Sequence, residues 1–315
     1  MREIKTAALI GLGAIGGYVA PKLKETMGDE AFTVVAGGAR RKRLETDGCV
    51  INDQIWKFRI TDPKDTMEPV DLCIFSVKYH ALKYAMEDMA GCIGKDTILI
   101  SLLNGVESEK ILKERFPENH ILYSVIRIPS IHENGKITYP AGWGEISFGE
   151  EKNLELSEDV KAVRDLFEKS GIGYQIPEDM LRNMWHKFMT NVSENQTSAI
   201  LKVPYGLFQI SPEANNFREN TAREVIQIAQ AKGINLTEED LTEQRKKVET
   251  YPFYGKTSTM QDITHGRVTE VDMFAGAVLR MGKELGIPTP YNQMLYDCLK
   301  ALESWNDHER QSKEN

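Results

Sequence analysis

One short glycine pattern near the start of the chain constrains its fold more than any other feature. Residues 11–16 read Gly-Leu-Gly-Ala-Ile-Gly, and they directly follow the apolar segment 7–10. A pattern of this kind, placed between a strand and a helix, binds the pyrophosphate of a dinucleotide in doubly wound α/β folds. Gly11 permits the tight turn, Gly13 lets the backbone approach the pyrophosphate, and Gly16 lets the helix pack closely against the sheet.

The loop also places the N-terminus of the predicted helix beside the bound anion. Free backbone N–H groups at that end of a helix favour a phosphate. A glycine-rich loop that binds nothing is the alternative, but the strand before it and the helix after it match the setting that the motif requires. We therefore predict that the whole loop binds the cofactor: Gly11, Leu12, Gly13, Ala14, Ile15 and Gly16.

The chain changes character after its first half. Apolar segments that read as buried strands alternate there with helical patterns, which predicts a parallel sheet. These strands are predicted at 7–10, 32–36, 72–77, 97–103 and 120–126. An Asn134-Gly135 pair predicts a hairpin, so the sheet is expected to end in antiparallel strands at 136–139 and 145–149.

The second half shows helical periodicity and no strand pattern. Helices are predicted at 183–201, 216–231, 237–250, 258–285 and 291–305. The sequence thus predicts an α/β protein with a Rossmann-like, doubly wound sheet in a dinucleotide-binding domain (1–178) and a second, all-helical domain (179–315) that carries the substrate and catalytic residues. We expect the site at the carboxyl ends of the strands.

The end of the second predicted strand bears on the choice of cofactor. NAD enzymes usually place an acid there, which accepts a hydrogen bond from the ribose 2′-hydroxyl. This chain has no acid until Glu45 and instead has four consecutive basic residues at 40–43. Guanidinium groups match phosphate oxygens, so we predict NADP(H), bound by Arg40 and Arg41. Lys42 and Arg43 are explained equally well as the solvated start of a basic helix.

A polar stripe on the first helix of the second half suggests the substrate site. Lys187, Asn191 and Asn195 recur every four residues and so share one helix face. A solvent-facing stripe is the alternative, but Asn is a poor helix former and two on one face need a reason. A lysine can donate a proton to a carbonyl oxygen during reduction, and one lysine with two amides suits a small hydroxylated acid, so we predict that this face binds the substrate.

Two later residues are further candidates. Ser258 with Gln261 fits a capping box, and a serine at a helix N-terminus also suits a carboxylate; capping alone is the alternative. Glu270 has apolar neighbours, and a salt-bridged surface acid is its default interpretation. In one unbroken helix the two residues are roughly 18 Å apart. A small acid held by Ser258 would then not reach Glu270.

Composition excludes several classes of protein. The net charge of -8 over 315 residues gives no attraction to nucleic acid. No apolar run is long enough to cross a membrane, and the four cysteines form no CxxC pair, so we expect a cytoplasmic protein with reduced thiols. The six histidines show no metal-binding spacing, so no metal is predicted.

Taken together, these motifs resemble the ketopantoate reductase (2-dehydropantoate 2-reductase) family, from Ile4 to about Leu299. The segment Ser76-Val77-Lys78 resembles the family's cofactor lysine, and Asn104-Gly105 resembles its turn beside the nicotinamide. The helix of Lys187, Asn191 and Asn195, and later Ser258 and Glu270, also match.

The resemblance implies the NADPH-dependent reduction of 2-dehydropantoate to pantoate, a step toward pantothenate and coenzyme A. It implies that Lys187 is the proton donor and that Asn191 and Asn195 hold the substrate. Lys78 and Asn104 are then expected at the nicotinamide end, with Asn104 also near the substrate. Because one small acid cannot contact both late residues along a straight helix, Ser258 is expected at the substrate carboxylate and Glu270 on the cofactor side.

Departures from the family pattern leave alternatives open. Gly37 stands where the family often has an arginine for the 2′-phosphate, Gln196 stands where proline is common, and segment 123–130 lacks the usual glycine and small hydroxyl residues. Because that segment lies near substrate in the family, a reductase for another 2-oxo or hydroxy acid is an alternative. A regulator that binds NADP(H) without turnover is a second one. The apolar positions of the late helices fit a homodimer surface or an intradomain core equally well.

Overall fold

The structure is a computed structural model that describes residues 2–133 and 135–314. The chain divides between Asn183 and Met184 into two compact units. The sequence places the division after residue 178, and the units divide slightly later, inside a helix. Asn134, half of the pair that predicts a hairpin, lies outside the described residues.

The first unit is built on a sheet of eight strands, which confirms the doubly wound α/β class. The described strands of the chain are β1 Ala7–Ile10, β2 Phe32–Val35, β3 Cys49–Ile51, β4 Gln54–Trp56, β5 Ile60–Thr61, β6 Leu72–Phe75, β7 Ile98–Ser101, β8 His120–Arg127, β9 Ile131–Glu133, β10 Lys136–Thr138, β11 Glu145–Gly149 and β12 Tyr174–Gln175. The sheet order is β12-β11-β8-β7-β6-β1-β2-β5, and the strands from β8 to β5 run parallel. Every residue of β1, β2, β6 and β7 is buried, as expected for strands covered on both faces.

The antiparallel end of the sheet differs partly from the expectation. β11 pairs antiparallel with β8, as predicted. β10, however, does not join this sheet: it belongs to a second, four-stranded sheet with the order β4-β3-β10-β9. The prediction that both late strands extend the main sheet is therefore wrong for β10, because its backbone pairs with β3, a short strand that the sequence pattern does not reveal.

Helices cover both faces of the main sheet. They are α1 Gly16–Met27, α2 Gly38–Thr46, α3 Leu82–Met89, α4 Ser108–Arg115 and α5 Glu158–Lys169. Alternate residues of β1 point to opposite faces, so Leu9 joins one hydrophobic core with Leu23 of α1, and Ile10 joins another with Met89 of α3. α1 continues through Pro21.

The second region is helical, as predicted. Its helices are α6 Met180–Thr190, α7 Gln196–Leu201, α8 Gly206–Ile210, α9 Pro212–Ala231, α10 Glu238–Val248, α11 Ser258–Thr264, α12 Ala275–Leu285 and α13 Pro290–Glu314, with a π-helical turn at Asn191–Asn195 between α6 and α7. A hydrophobic core joins α7, α11, α12 and α13 through residues such as Ala199, Met260 and Leu295.

The predicted continuous helix 258–285 is wrong, because the chain leaves the helix after Thr264. Gly266 adopts a positive φ of 65°, and the Arg267 N–H donates to the Asp262 carbonyl at 2.8 Å. A left-handed glycine with this backward hydrogen bond is a common way to end a helix. The helix resumes only at Ala275.

Three further features concern the described residues as a whole. None of their helices is long and apolar enough to cross a membrane. No group of three or more His, Cys, Asp or Glu side chains among them is arranged to hold a metal ion. All four cysteines are free thiols, and three of them are buried.

Candidate active site

The glycine loop has a geometry that only glycine can adopt at two positions. Gly11 has a φ of 102°, and a Cβ added to it would lie 2.5 Å from the Ser76 carbonyl oxygen. A Cβ on Gly16 would lie 2.0 Å from the Gly11 carbonyl oxygen. By contrast, a Cβ on Gly13 would meet no described atom within 4 Å. Gly13 is therefore open toward a ligand, whereas Gly11 and Gly16 allow the chain to pack on itself.

Ser76 fixes the loop to the neighbouring strand. Its hydroxyl donates to the carbonyl of Gly11 at 2.8 Å and to that of Ile10 at 3.1 Å. Sequence reasoning emphasised Lys78 in this segment and missed the role of Ser76. Lys78 itself has extended backbone and begins a short 3₁₀ turn two residues after Ser76, just beyond the end of β6.

The turn at Asn104 follows the next strand of the same sheet edge. The Leu102 N–H donates to the Phe75 carbonyl at 2.8 Å, which ties the end of β7 to β6, and Gly105 has a φ of 93°. Because the parallel strands β1, β6 and β7 all end at this edge, the glycine loop, Lys78 and Asn104 come together there.

A buried polar chain supports the Asn104 turn. The Ser101 hydroxyl donates to the Ser108 hydroxyl at 2.8 Å, and Ser108 donates to Oε2 of Glu109 at 3.0 Å. The Leu103 N–H lies 3.4 Å from the Ser101 oxygen. Glu109 is 4% exposed. Burial raises the pKa of its carboxyl to about 7, although the hydrogen bonds to it oppose the rise.

Segment 123–130 ends on the dinucleotide loop. The Ser130 hydroxyl donates to the Ala14 carbonyl at 2.8 Å. Within the segment, the Ser124 hydroxyl donates to the Ser101 carbonyl, and the Tyr123 hydroxyl donates to Glu151 at 2.9 Å. The part of the sequence that departs most from the family pattern is thus connected to the loop and to the polar chain behind Asn104.

The end of β2 differs from the sequence-based picture. Arg41 lies in α2 and forms ion pairs with Glu45 at 2.8 Å, Asp62 at 3.3 Å and Asp65 at 3.4 Å. The sequence shows no acid near this point before Glu45, but β5 pairs with β2 and brings Asp62 alongside. Arg40, Lys42 and Arg43 are exposed.

The predicted substrate stripe lies in the second unit and is not a solvent-facing stripe. Lys187 and Asn191 are half-buried, and Asn195 is 8% exposed. Nδ2 of Asn195 lies 3.4 Å from Oδ1 of Asn191 and 3.4 Å from Oγ of Ser258, at the long end of hydrogen-bonding distance. Asn195 therefore contacts its neighbour on the predicted face and also Ser258, which comes from a distant part of the chain.

The π-helical turn Asn191–Asn195 was not predicted, and a buried ion pair holds it. Glu194 lies within this turn, and its carboxylate contacts the Arg218 guanidinium at 3.2 Å. Gln244 also donates to Glu194, and Arg218 is 1% exposed. Such π turns are often found at functional sites.

Ser258 and Glu270 are placed differently from the expectation. The N-cap of α11 is Thr257, whose hydroxyl accepts from the Met260 N–H at 3.2 Å, so Ser258 is not the capping residue. Ser258 is exposed. Glu270 lies in the non-helical stretch before α12 and is 8% exposed, so it is not a surface acid. The separation of roughly 18 Å between Ser258 and Glu270 was calculated for one straight helix. Because the helix ends at Thr264, that distance does not apply.

The comparisons with known proteins agree in both halves of the chain. The family model for "Ketopantoate reductase PanE/ApbA" matches residues 7–153, and the model for the C-terminal part of that family matches residues 179–303. A 2-dehydropantoate 2-reductase from Streptococcus pyogenes serotype M6 is 27% identical over 265 residues, which cover 83% of this chain and 86% of that protein.

Solved structures share the fold at lower identity. D-mandelate dehydrogenase with NADH and anilino(oxo)acetate superposes with a TM-score of 0.83 at 23% identity, covering 96% of this chain and 100% of that one. A dimeric ketopantoate reductase from Staphylococcus aureus superposes with a TM-score of 0.80 at 20% identity, covering 96% and 99%.

The glycine loop, the doubly wound sheet and the matched family models define an oxidoreductase of the class that uses a nicotinamide cofactor. Within that class, the chain belongs to the ketopantoate reductase family.

Proposed function

We propose that this protein reduces 2-dehydropantoate to pantoate with NADPH. The family membership of both halves supports the reaction class. The observation that supports the substrate most directly is the contact of Asn195 with Asn191 and Ser258. Amide and hydroxyl groups clustered in this way offer both donors and acceptors to a small hydroxylated acid.

The first unit fits the cofactor. The open face of Gly13 leaves room for a pyrophosphate, and residues 11–16 would hold it at the start of α1. Arg40 and Arg41 would contact the 2′-phosphate, and Lys78 and Asn104 would position the nicotinamide end. When bound, the nicotinamide supplies the hydride that reduces the keto carbon.

The second unit supplies the substrate groups. Asn191, Asn195 and Ser258 orient the acid, and Lys187 donates a proton to the carbonyl oxygen and stabilises the charge that develops on it. We keep Glu270 in the proposed site on the cofactor side. The distance from Ser258 along one helix no longer supports that assignment, because the two residues do not lie on the same helix.

The test follows NADPH absorbance with purified protein and 2-dehydropantoate, with NADH in a parallel series. Replacing Lys187 with Ala should lower kcat by about 100-fold or more, because a positioned general acid contributes at least that much, and should leave NADPH affinity nearly unchanged. Lys232→Ala, an exposed lysine at the end of α9, is the matched control. Equal losses of kcat and NADPH affinity in Lys187→Ala would assign a structural role to this lysine.

A second candidate is another 2-oxo acid. Segment 123–130 departs from the family pattern and reaches the dinucleotide loop through Ser130, and D-mandelate dehydrogenase shares the fold. The 2-oxo acid that corresponds to mandelate is therefore assayed beside 2-dehydropantoate. NADPH binding without turnover of any 2-oxo acid would support the regulator instead. A cytoplasmic location and a homodimer stay predictions, the latter in line with the dimeric Staphylococcus aureus relative.

A further inference from the structure

The end of β5 brings an acid next to Gly37, which lies two residues after the end of β2 and is the N-cap residue of α2. The two strands pair in parallel, and the Ala36 N–H donates to the Thr61 carbonyl at 3.0 Å. A Cβ built on Gly37 would lie 3.7 Å from Oδ1 of Asp62. The Asp62 carboxylate therefore occupies space that a side chain at position 37 would reach, although it comes from another strand.

Asp62 is held as a carboxylate in this position. Its side chain is 15% exposed. Oδ1 accepts from the Lys64 N–H at 3.0 Å, and Oδ2 faces the Arg41 guanidinium at 3.3 Å. The Lys64 N–H and, to a smaller degree, Arg41 hold the pKa of Asp62 below its usual value. A carboxylate oxygen can accept two hydrogen bonds, so Oδ1 has capacity for one more.

The basic residues nearby do not simply provide positive charge. Arg41 already faces the carboxylates of Glu45, Asp62 and Asp65. Arg40 is exposed and forms no ion pair with any residue in the described ranges. The pKa of Asp88 in α3 is raised, chiefly by burial and also by the negative charge of Asp62, whereas the positive charge of Arg40 opposes the rise. The charges of Asp62 and Arg40 therefore act on the same carboxyl group.

In dinucleotide-binding folds the group at the end of the second strand reads the 2′ position of the adenosine ribose. An acid there accepts a hydrogen bond from the 2′-hydroxyl of NAD(H), whereas cations there bind the 2′-phosphate of NADP(H). In this chain Gly37 provides neither group. Arg40 and Asp62 reach the same region from α2 and from the end of β5.

We propose that Asp62 determines how this protein chooses between the two cofactors, by accepting a hydrogen bond from the ribose 2′-hydroxyl and by repelling a 2′-phosphate. This proposal rests on the proposed binding of a nicotinamide dinucleotide at the glycine loop, but not on any particular 2-oxo acid. Asp62 then opposes Arg40, and the balance between them sets the preference.

The experiment measures the binding of NAD⁺ and NADP⁺ by calorimetry, without substrate, to the wild type and to Asp62→Asn. Asn keeps an oxygen for the Lys64 N–H and removes the charge. We expect the Kd for NAD⁺ to rise by about tenfold, because the variant loses a hydrogen bond to a charged group. The Kd for NADP⁺ should fall by a similar factor, because the repulsion between the carboxylate and the 2′-phosphate is removed. Asp65→Asn is the matched control, because Asp65 contacts Arg41 but is not among the residues whose atoms lie nearest to the Cβ built on Gly37.

The outcomes separate the possible causes. Opposite shifts in Asp62→Asn, with NAD⁺ affinity unchanged in Asp65→Asn, support the proposal. Gains in NADP⁺ affinity in both variants without any loss of NAD⁺ affinity would overturn it, because release of Arg41 alone would then explain the data. Equal changes for both cofactors, or none, would overturn it too. Because no turnover is measured, a protein inactive on 2-dehydropantoate still gives a decisive result.

Discussion

Replacing Glu109 with Gln should change how the stability of this protein depends on pH. The carboxyl lies behind the Asn104 turn, accepts a hydrogen bond from Ser108, and its Oε1 has no hydrogen-bond partner among the described atoms. Burial raises the pKa of Glu109 from 4.5 to about 7. The folded state therefore holds a proton that the unfolded chain releases between these two pH values.

The sign and size follow from that difference. A carboxyl with a raised pKa contributes its full stability below the unfolded value of 4.5, and this contribution is lost as pH rises to about 7. Each pKa unit corresponds to about 1.36 kcal/mol, so the loss is on the order of 3 kcal/mol. Well above the folded pKa, where the carboxyl is ionised in both states, no further change comes from this group. A glutamine side chain in place of Glu109 would keep a neutral polar group of the same shape and would not titrate.

The assay is urea unfolding of the wild type and Glu109→Gln at pH 5 and at pH 8. The stability of the variant relative to the wild type should rise by about 2 to 3 kcal/mol between these two pH values. Glu114→Gln is the control, since Glu114 lies on the same helix with its side chain 66% exposed, and it should show no such change. Parallel pH profiles for Glu109→Gln and the wild type would refute the reasoning.

Three further single substitutions test the π turn and the glycine loop. Arg218→Met leaves the Glu194 carboxylate buried without its cation and should lower the free energy of unfolding by about 3–5 kcal/mol in thermal or urea unfolding. The double variant Arg218→Met with Glu194→Gln should lose less stability than the two single variants added together. Strictly additive losses would contradict an interaction between the two residues. Gly16→Ala should lower both the thermal midpoint and NADPH affinity, because its Cβ would lie 2.0 Å from the Gly11 carbonyl. Gly13→Ala should weaken NADPH binding roughly tenfold or more with an unchanged midpoint, and a lowered midpoint would show that Gly13 serves packing.

The strands that the sequence predicts well are the ones that the fold buries on both faces. β1, β6 and β7 are continuous apolar segments because both of their faces contact helices, and this signal is visible in the chain alone. β5 has two residues, neither fully buried, and it exists because β2 offers its edge. A strand of this kind forms because it pairs with a strand that is distant in sequence, so its own residues show no periodic pattern.

The same limit applies to the residues around the end of β2. The prediction of NADP(H) counted residues close in sequence to that strand and found basic residues with no acid before Glu45. Asp62 comes alongside only through the pairing of β5 with β2, so a local count could not find it. Conversely, Gly266 was visible in the sequence, and its power to end a helix could have corrected the predicted helix 258–285.

The polar stripe of Lys187, Asn191 and Asn195 shows how residue spacing can predict a shared face without predicting the local structure. In a regular α-helix, residues four apart are displaced by about 40° around the axis, so three such residues drift apart along the face. A π turn closes its hydrogen bonds over five residues rather than four, so the face is displaced again at Asn191–Asn195, where Nδ2 of Asn195 lies 3.4 Å from Oδ1 of Asn191. Glu194 of the same turn contacts Arg218 of α9 at 3.2 Å, which ties the turn to another helix. The spacing of the polar residues predicted that they share a face, but an ion pair to a residue 24 positions away leaves no local pattern from which the π turn could have been predicted.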